Sequence, residues 1–389
     1  MKTKKKIMFI FGALGGGGAQ RQFGYLINNL DQDKFSPIII SVGKSKKETV
    51  EFYNHYSEED LKNSPELRKI NFENYYLFSQ LKKKEQIYFI SKKENSLLKI
   101  QFKLAEILKS IKPDVTFSIS PYSSIISILP ALFCGVKNRL QGVRSNEMLI
   151  GYKKSILNFG YWSLQFLITK YVVNSSDLKD KMGKNGFSTK KIETIHNGVP
   201  IYYNKSNFRH KNSKIYIAYI ARLHSVKNHK MFFDALSLIS NDRIEVHIFG
   251  TGYLEKDLKK YVQDKNLQNL VIFEGWKKNI GKYLPKMDIV VLTSSGEGFN
   301  NSISEAQMHG ISVVTTDCTG SSEIVEHGKT GFVVPIGDTL DFSKKLQELI
   351  DNNLLRTQFC EAAYKRSRSK FSIEKMVNNY ESFFTHITK

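Results

Sequence analysis

A chain of 389 residues is long enough for two or three domains with cores of their own, and 41% hydrophobic with 12% aromatic residues excludes wholesale disorder. Lys plus Arg number 58 against 37 Asp plus Glu. The resulting net charge of +21 implies a polyanionic neighbour (nucleic acid, an acidic membrane face or phosphorylated small molecules), unless it reflects biased composition alone.

Along the chain, strand-like and helix-like apolar periods alternate, the pattern of an α/β protein with parallel sheets. Residues 7–11, Ile-Met-Phe-Ile-Phe, are too short for a signal-peptide core and read as a buried first strand. A glycine loop, a helix at 19–30 and a strand at 37–42 follow. From Lys44 to Lys112, with 15 basic and 10 acidic residues, the pattern is poor until a helix at 97–111, so a variable, partly helical excursion is expected. A strand at 115–120, a helix at 124–133 and a strand at 140–143 come next, then a helix at 155–169, a strand at 171–174, a helix at 176–185 and a strand at 192–195. The polar stretch 202–214 is the expected linker. A second run then opens with strands at 215–220, 244–249, 270–273, 289–293, 312–315 and 331–334, separated by helices at 230–239, 254–264 and 302–309. Helices at 340–352, 354–369 and 373–388 close the chain.

Cys134, Cys318 and Cys360 are far apart without Cys-x-x-Cys spacing, which argues against a disulfide framework or a zinc site and fits a reducing compartment. The nine histidines show no metal spacing; His196, at the end of the first run, is the one worth testing. No zinc finger, recognition helix or RNA-binding aromatic motif is visible, so nucleic acid is not the expected partner.

Three constellations can carry chemistry. Gly12-Ala-Leu-Gly-Gly-Gly-Gly-Ala-Gln-Arg21 joins a strand to a helix, where glycines admit a ligand and the helix start offers N–H groups to an anion. It fits neither a dinucleotide fingerprint nor a P-loop. Arg222 and Lys227 lie in the loop after the strand at 215–220, where two cations can converge on a diphosphate. Glu297 and Glu305 lie in the loop and helix after the strand at 289–293, where two carboxylates suit vicinal hydroxyls, and the helix start at Asn301 and Ser302 can hold a phosphate. A glycosidase-type acid/base pair is the competing reading of these carboxylates.

With these residues in view, the chain resembles family 4 of the retaining glycosyltransferases. Glu297 and Glu305 form its Glu-x7-Glu signature, and Asn197-Gly198-Val199, Arg222 with Lys227, Gly250-Thr-Gly252, Phe273-Glu-Gly275, Gly320, Glu323 and Gly328-Lys-Thr-Gly331 stand in the family's order. The resemblance is specific over about 195–336 and looser before it.

It implies a GT-B fold: two Rossmann-like domains facing a central cleft, with C-terminal helices returning to the N-terminal domain. The expected division is an acceptor-binding domain at 1–197, a nucleotide-sugar-binding domain at 198–368 and a returning helix at 369–389. Family roles carried onto this sequence make Arg222 and Lys227 the diphosphate clamp, Glu297 a carboxylate on the transferred sugar and Glu305 the ribose ligand. Phe299, Asn300, Asn301 and Ser302 would meet the donor, as would Gly16 and Gly17; Gly15, Gly18, Gln20 and Arg21 would lie on the acceptor side. The resemblance implies a sugar transferred from a nucleotide donor, UDP-linked in the favoured reading, to a saccharide or lipid-linked acceptor in bacterial-type surface glycan synthesis. No metal or other cofactor is expected. The alternatives are a non-catalytic nucleotide-sugar-binding or scaffold protein, or a GT-B epimerase. One departure is Ser118-Ile-Ser-Pro-Tyr-Ser123, where many members carry a histidine near the sugar.

Residues 137–191 hold 11 basic and 3 acidic residues around the uncharged, aromatic stretch 155–169, including Tyr161, Trp162 and Phe166. The expectation is a cytoplasmic protein bound peripherally to an anionic inner membrane face.

Overall fold

The computed structural model describes residues 3–12, 14–15, 17–44, 46–49, 76–83, 86–92, 96–144, 164–201, 214–239 and 243–389. These form two compact units, one of Met1–Asn174, Lys179–Ile195 and Met376–Lys389, the other of Ser175–Leu178 and His196–Lys375.

The first unit contains β1 (Lys5–Phe11), α1 (Gly18–Asn29), β2 (Phe35–Gly43), α2 (Tyr76–Gln80), β3 (Ile87–Ser91), α3 (Leu97–Ile111), β4 (Val115–Ser118), α4 (Pro121–Phe133), β5 (Asn138–Val143) and β6 (Lys170–Val173). After α5 (Ser176–Lys184), which starts in the other unit, β7 (Ile192–Thr194) completes an all-parallel sheet in the order β3-β2-β1-β4-β5-β6-β7. Its strands are nearly continuous apolar runs because helices cover both faces. Ser96 caps α3 by accepting from the Lys99 N–H, and Ser120 and Ser123 form a reciprocal capping box on α4 behind Pro121.

The second unit contains β8 (Ile215–Ile220), α6 (His229–Leu236), β9 (Ile244–Phe249), α7 (Glu255–Asp264), β10 (Val271–Gly275), β11 (Ile289–Leu292), α8 (Asn301–Met308), β12 (Ser312–Thr316), α9 (Ser321–Ile324), β13 (Phe332–Val334), α10 (Thr339–Asp351) and α11 (Asn353–Phe371). Its sheet is also parallel, in the order β10-β9-β8-β11-β12-β13. The last helix, α12 (Ile373–Ile387), carries the chain back into the first unit from Met376 onward, as the fold class expected.

Two expectations are corrected. The excursion at 44–112 hides a strand: β3 pairs only with β2 at the sheet edge, and its five residues sit among lysines that mask an apolar period. The helix expected at 155–169 lies outside the described residues as far as 163; its described end is a single 3-10 turn, Gln165–Leu167, after which Ile168 is extended. The linker at 202–213 also lies outside the described residues. Among the described residues no helix is long and apolar enough to cross a membrane.

Candidate functional site

In an open parallel sheet, ligands bind beyond the carboxyl ends of the strands where the strand order reverses. In the second sheet that point lies between β8 and β11, whose successors run to opposite sides. Arg222 and Lys227 follow β8, while Glu297 and α8 follow β11. The two loops are joined: the Ser295 N–H donates to the Val226 carbonyl at 2.9 Å, and Thr293 Oγ1 donates to the Asn228 carbonyl at 2.8 Å. The topology thus brings Lys227 and Glu297 together across 70 residues of sequence, and Lys227 Nζ forms a half-buried ion pair with Glu297 Oε1. Ser294 Oγ donates to the same carboxylate oxygen at 2.9 Å.

Arg222 is exposed on the β8 loop, which the β9 loop braces from behind. Gly250, at φ +140°, and Gly252 press so closely that a Cβ on either would overlap the carbonyl of Ala221 or Leu223. The Leu223 N–H donates to the Thr251 carbonyl at 3.0 Å. The Gly-Thr-Gly spelling in the sequence is therefore a demand for close backbone approach.

Sequence reasoning missed the support beneath Lys227. Tyr219, fully buried on β8, donates its hydroxyl to the Lys227 carbonyl and accepts from the Thr293 N–H at 3.1 Å. Tyr219→Phe strands the buried Thr293 N–H and leaves the Lys227 carbonyl only the longer bond from Thr293 Oγ1 at 3.3 Å, so it is expected to cost about 1–3 kcal/mol, measured by urea unfolding. The signal was weak because a tyrosine in an apolar strand reads as core.

α8 begins at Asn301 with no side-chain cap and no acid in its first turn, an arrangement that leaves its amide dipoles available to an anion. Asn300 is buried, its Nδ2 donating to Ser321 Oγ at 2.7 Å and its carbonyl accepting from the Ser304 N–H at 2.9 Å. Ser302 is half-buried on the first turn. Phe299 is buried against the rings of His196 and Phe371. Asn197 Nδ2 donates to Asn301 Oδ1 at 3.0 Å, adding the residue before Gly198 to the helix start. Glu305 is buried on α8, and His309 Nδ1 bonds its carbonyl at 2.8 Å. His196 Nε2 meets Glu323 Oε2 at 2.6 Å, and the Asp177 N–H donates to Glu323 Oε1 at 3.0 Å. Burial acts upward on the Glu323 pKa, but the bonds from His196 and the Ser176 and Asp177 amides outweigh it and hold it low.

The first sheet has its own reversal between β1 and β4. The glycine loop follows β1, and a Cβ on Gly12 would touch the Tyr122 ring at 3.4 Å. Lys92 Nζ sits 4.7 Å from the centre of that ring. Gly15 is buried, Gly17 half-buried and Gly18 exposed; Gln20 and Arg21 are half-buried on α1, whose start has no side-chain cap, while Gly16 lies outside the described residues. In the place of the absent histidine, Ser118 Oγ bonds Ser127 Oγ at 2.7 Å.

His229 stands two residues after Lys227, buried against the Tyr219 ring, and neither ring nitrogen has a partner among the described residues. Burial, with the Lys227 charge second, pushes its pKa down to about 4. The unfolded chain takes up the proton from about pH 6.5, the folded one only near 4, so stability present above 6.5 is lost as the pH falls through that window. The loss approaches about 3 kcal/mol. The fall in urea stability between pH 7.5 and 4.5 is expected to be smaller in His229→Gln by about 2–3 kcal/mol. Among the described residues no group of three or more His, Cys, Asp or Glu could hold a metal ion.

Residues 203–366 match the family model described as glycosyl transferases group 1. Poly(ribitol-phosphate) alpha-N-acetylglucosaminyltransferase of Staphylococcus aureus (strain COL) is 28% identical over 203 residues, 51% of this chain. The match spans less than half of that relative, 41% of its length. UDP-Gal:alpha-D-GlcNAc-diphosphoundecaprenol alpha-1,3-galactosyltransferase of Escherichia coli is 26% identical over 311 residues, 74% of this chain and 79% of that protein. The fold matches that of Anabaena Alr3699/HepE, solved in complex with UDP, with a TM-score of 0.77 at 15% identity over 98% of this chain and 100% of that one. Most of the second unit thus matches the glycosyl transferases group 1 model, and the chain as a whole has the two-sheet GT-B fold of the solved structures it resembles.

Proposed function

We propose that this protein transfers a sugar, with retention of configuration, from a nucleotide donor to a saccharide or lipid-linked saccharide in bacterial surface glycan synthesis. The observation that carries the reading is the joining of the Lys227 and Glu297 loops at the reversal of the second sheet, beside the uncapped start of α8. The departing diphosphate gathers negative charge as the glycosidic bond breaks. Lys227, Arg222 and the start of α8 at Ser302 oppose that charge more strongly in the transition state than in the bound donor, and such a difference is what accelerates a reaction. Glu297 holds Lys227 in place until the diphosphate competes for it, and its carboxylate then serves the hydroxyls of the transferred sugar. Glu305 serves the ribose. These fixed charges do the work a divalent ion does elsewhere, so the activity needs no metal. The named donors and ligands of similar proteins, UDP-Gal and UDP, support a UDP-sugar. The diphosphoundecaprenol acceptor of the Escherichia coli relative supports a lipid-linked acceptor met at an anionic inner membrane face.

The test is a thermal-shift panel of UDP, GDP and ADP, followed by turnover of the matching sugars with chelator present. The expected result is stabilisation by UDP and an α-configured product from an α-configured donor. No turnover with any nucleotide sugar, or an inverted anomeric centre, refutes the reading.

A further inference from the structure

The strands of the first sheet run parallel, so their starts share one edge, opposite the edge bearing the glycine loop. That starting edge is basic strand by strand. Lys4 precedes β1, Lys34 precedes β2, Lys112 stands three residues before β4, Lys137 precedes β5, Lys170 opens β6 and Lys190 stands two residues before β7. Six adjacent strands about 4.8 Å apart spread these charges over roughly 24 Å. Acids on the edge are fewer: Asp31 holds Lys34 at 2.7 Å, Glu381 accepts from the Asp31 N–H at 2.6 Å, Asp114 faces Lys5 at 3.5 Å, and Asp33 and Glu193 stand beside them. Lys4, Lys112, Lys137 and Lys190 are exposed and have no carboxylate partner among the described residues.

Two phenylalanines stand out of the same edge. Phe133, the last residue of α4, is 82% exposed, and Phe166, in the turn before β6, is 71% exposed. Arg139 ties their two segments to the start of β5, donating to the Val136 carbonyl at 2.5 Å and the Leu167 carbonyl at 2.8 Å. Exposed rings set among unpaired lysines match an anionic lipid interface, where the rings enter the acyl boundary and the lysines meet phosphates. A soluble polyanion would use the lysines and leave the rings in water.

We propose that this starting edge of the first sheet docks on an anionic phospholipid bilayer through Phe133 and Phe166, with the strand-start lysines supplying the electrostatic attraction. It deepens the membrane part of the proposed function, and it leaves the glycine-loop edge turned away from the lipid, accessible to an acceptor that extends from it.

The test is vesicle flotation of the full chain, without donor or acceptor, on phosphatidylcholine with and without phosphatidylglycerol over a salt series. Binding is expected on the anionic vesicles only, weakening with salt. Phe133→Ser with Phe166→Ser is expected to lower it at least about tenfold, and Lys112→Gln, Lys137→Gln and Lys190→Gln about fivefold each. Circular dichroism and turnover on a water-soluble acceptor are expected to stay at wild-type values, since these side chains lie outside both candidate sites. Equal binding to both vesicle types overturns the proposal, as does binding to heparin or duplex nucleic acid that the serine variant retains in full. Self-association abolished by the serine variant, with no vesicle binding, also overturns it. Absence of turnover with intact vesicle binding refutes the catalytic reading and leaves the surface standing.

Discussion

Lys227→Ala is expected to lower kcat/KM for the nucleotide-sugar donor by about 10²–10³-fold, the usual consequence of removing one preorganised charge from a developing anion. The ammonium is half-buried against Glu297, so it works at reduced dielectric and is held in position by the carboxylate and by the backbone that Tyr219 and Thr293 fix. Alanine removes the cation and leaves Glu297 with the bond from Ser294 Oγ, so the charge facing the diphosphate falls by one unit and its carboxylate repels the anion. Lys227→Arg keeps the charge but not the point geometry and is expected to fall between the two. Glu297→Gln separates the roles: it frees Lys227, so UDP affinity holds or improves while turnover falls. Steady-state kinetics with UDP inhibition constants make the measurement, and wild-type kcat/KM in Lys227→Ala would remove the lysine from the mechanism.

Phe384→Ala is expected to cost about 3–5 kcal/mol, by urea unfolding. Phe384 lies on α12, fully buried in the first unit, with ring centroids at 6.4 Å from Phe9, 6.1 Å from Phe35, 6.3 Å from Phe117 and 5.7 Å from Tyr380. Arg144 seals this cluster, donating from Nη2 to the Tyr380 hydroxyl at 2.7 Å with its guanidinium 4.7 Å from the centre of the Phe23 ring. Truncation to alanine deletes a ring at the meeting point of β1, β2 and β4, where the parallel backbone cannot close the cavity. A loss under about 1 kcal/mol would mean that α12 is only loosely held.

The repeated apolar runs of β1, β2, β4, β8, β9, β11 and β12 made the two parallel sheets legible, because a strand buried on both faces writes an uninterrupted hydrophobic stretch. Most helix ends shift by a residue or two, as frayed termini do, while α4 starts three residues earlier, at Pro121, and α6 ends three residues earlier, at Leu236. β3 was lost because an edge strand needs fewer apolar residues and Ile87–Ser91 is short. In the site, Arg222, Lys227, Glu297 and Glu305 were legible as charges in loops after strands and on the helix that follows. Their grouping was legible only through a family resemblance, since nothing local joins residues 70 apart.

The sequence by itself determined the alternation of elements, the glycines that close approach requires at 250 and 252, and the excess of lysine. Tertiary structure decided the rest. Pairing β8 with β11 selected which loops meet, burial made Tyr219 the support beneath Lys227 and lowered the pKa of His229 beside it, and the parallel register gathered dispersed lysines along one edge. The physical reason is that burial and electrostatics depend on distance in space, and only the pairing of the strands converts sequence separation into that distance.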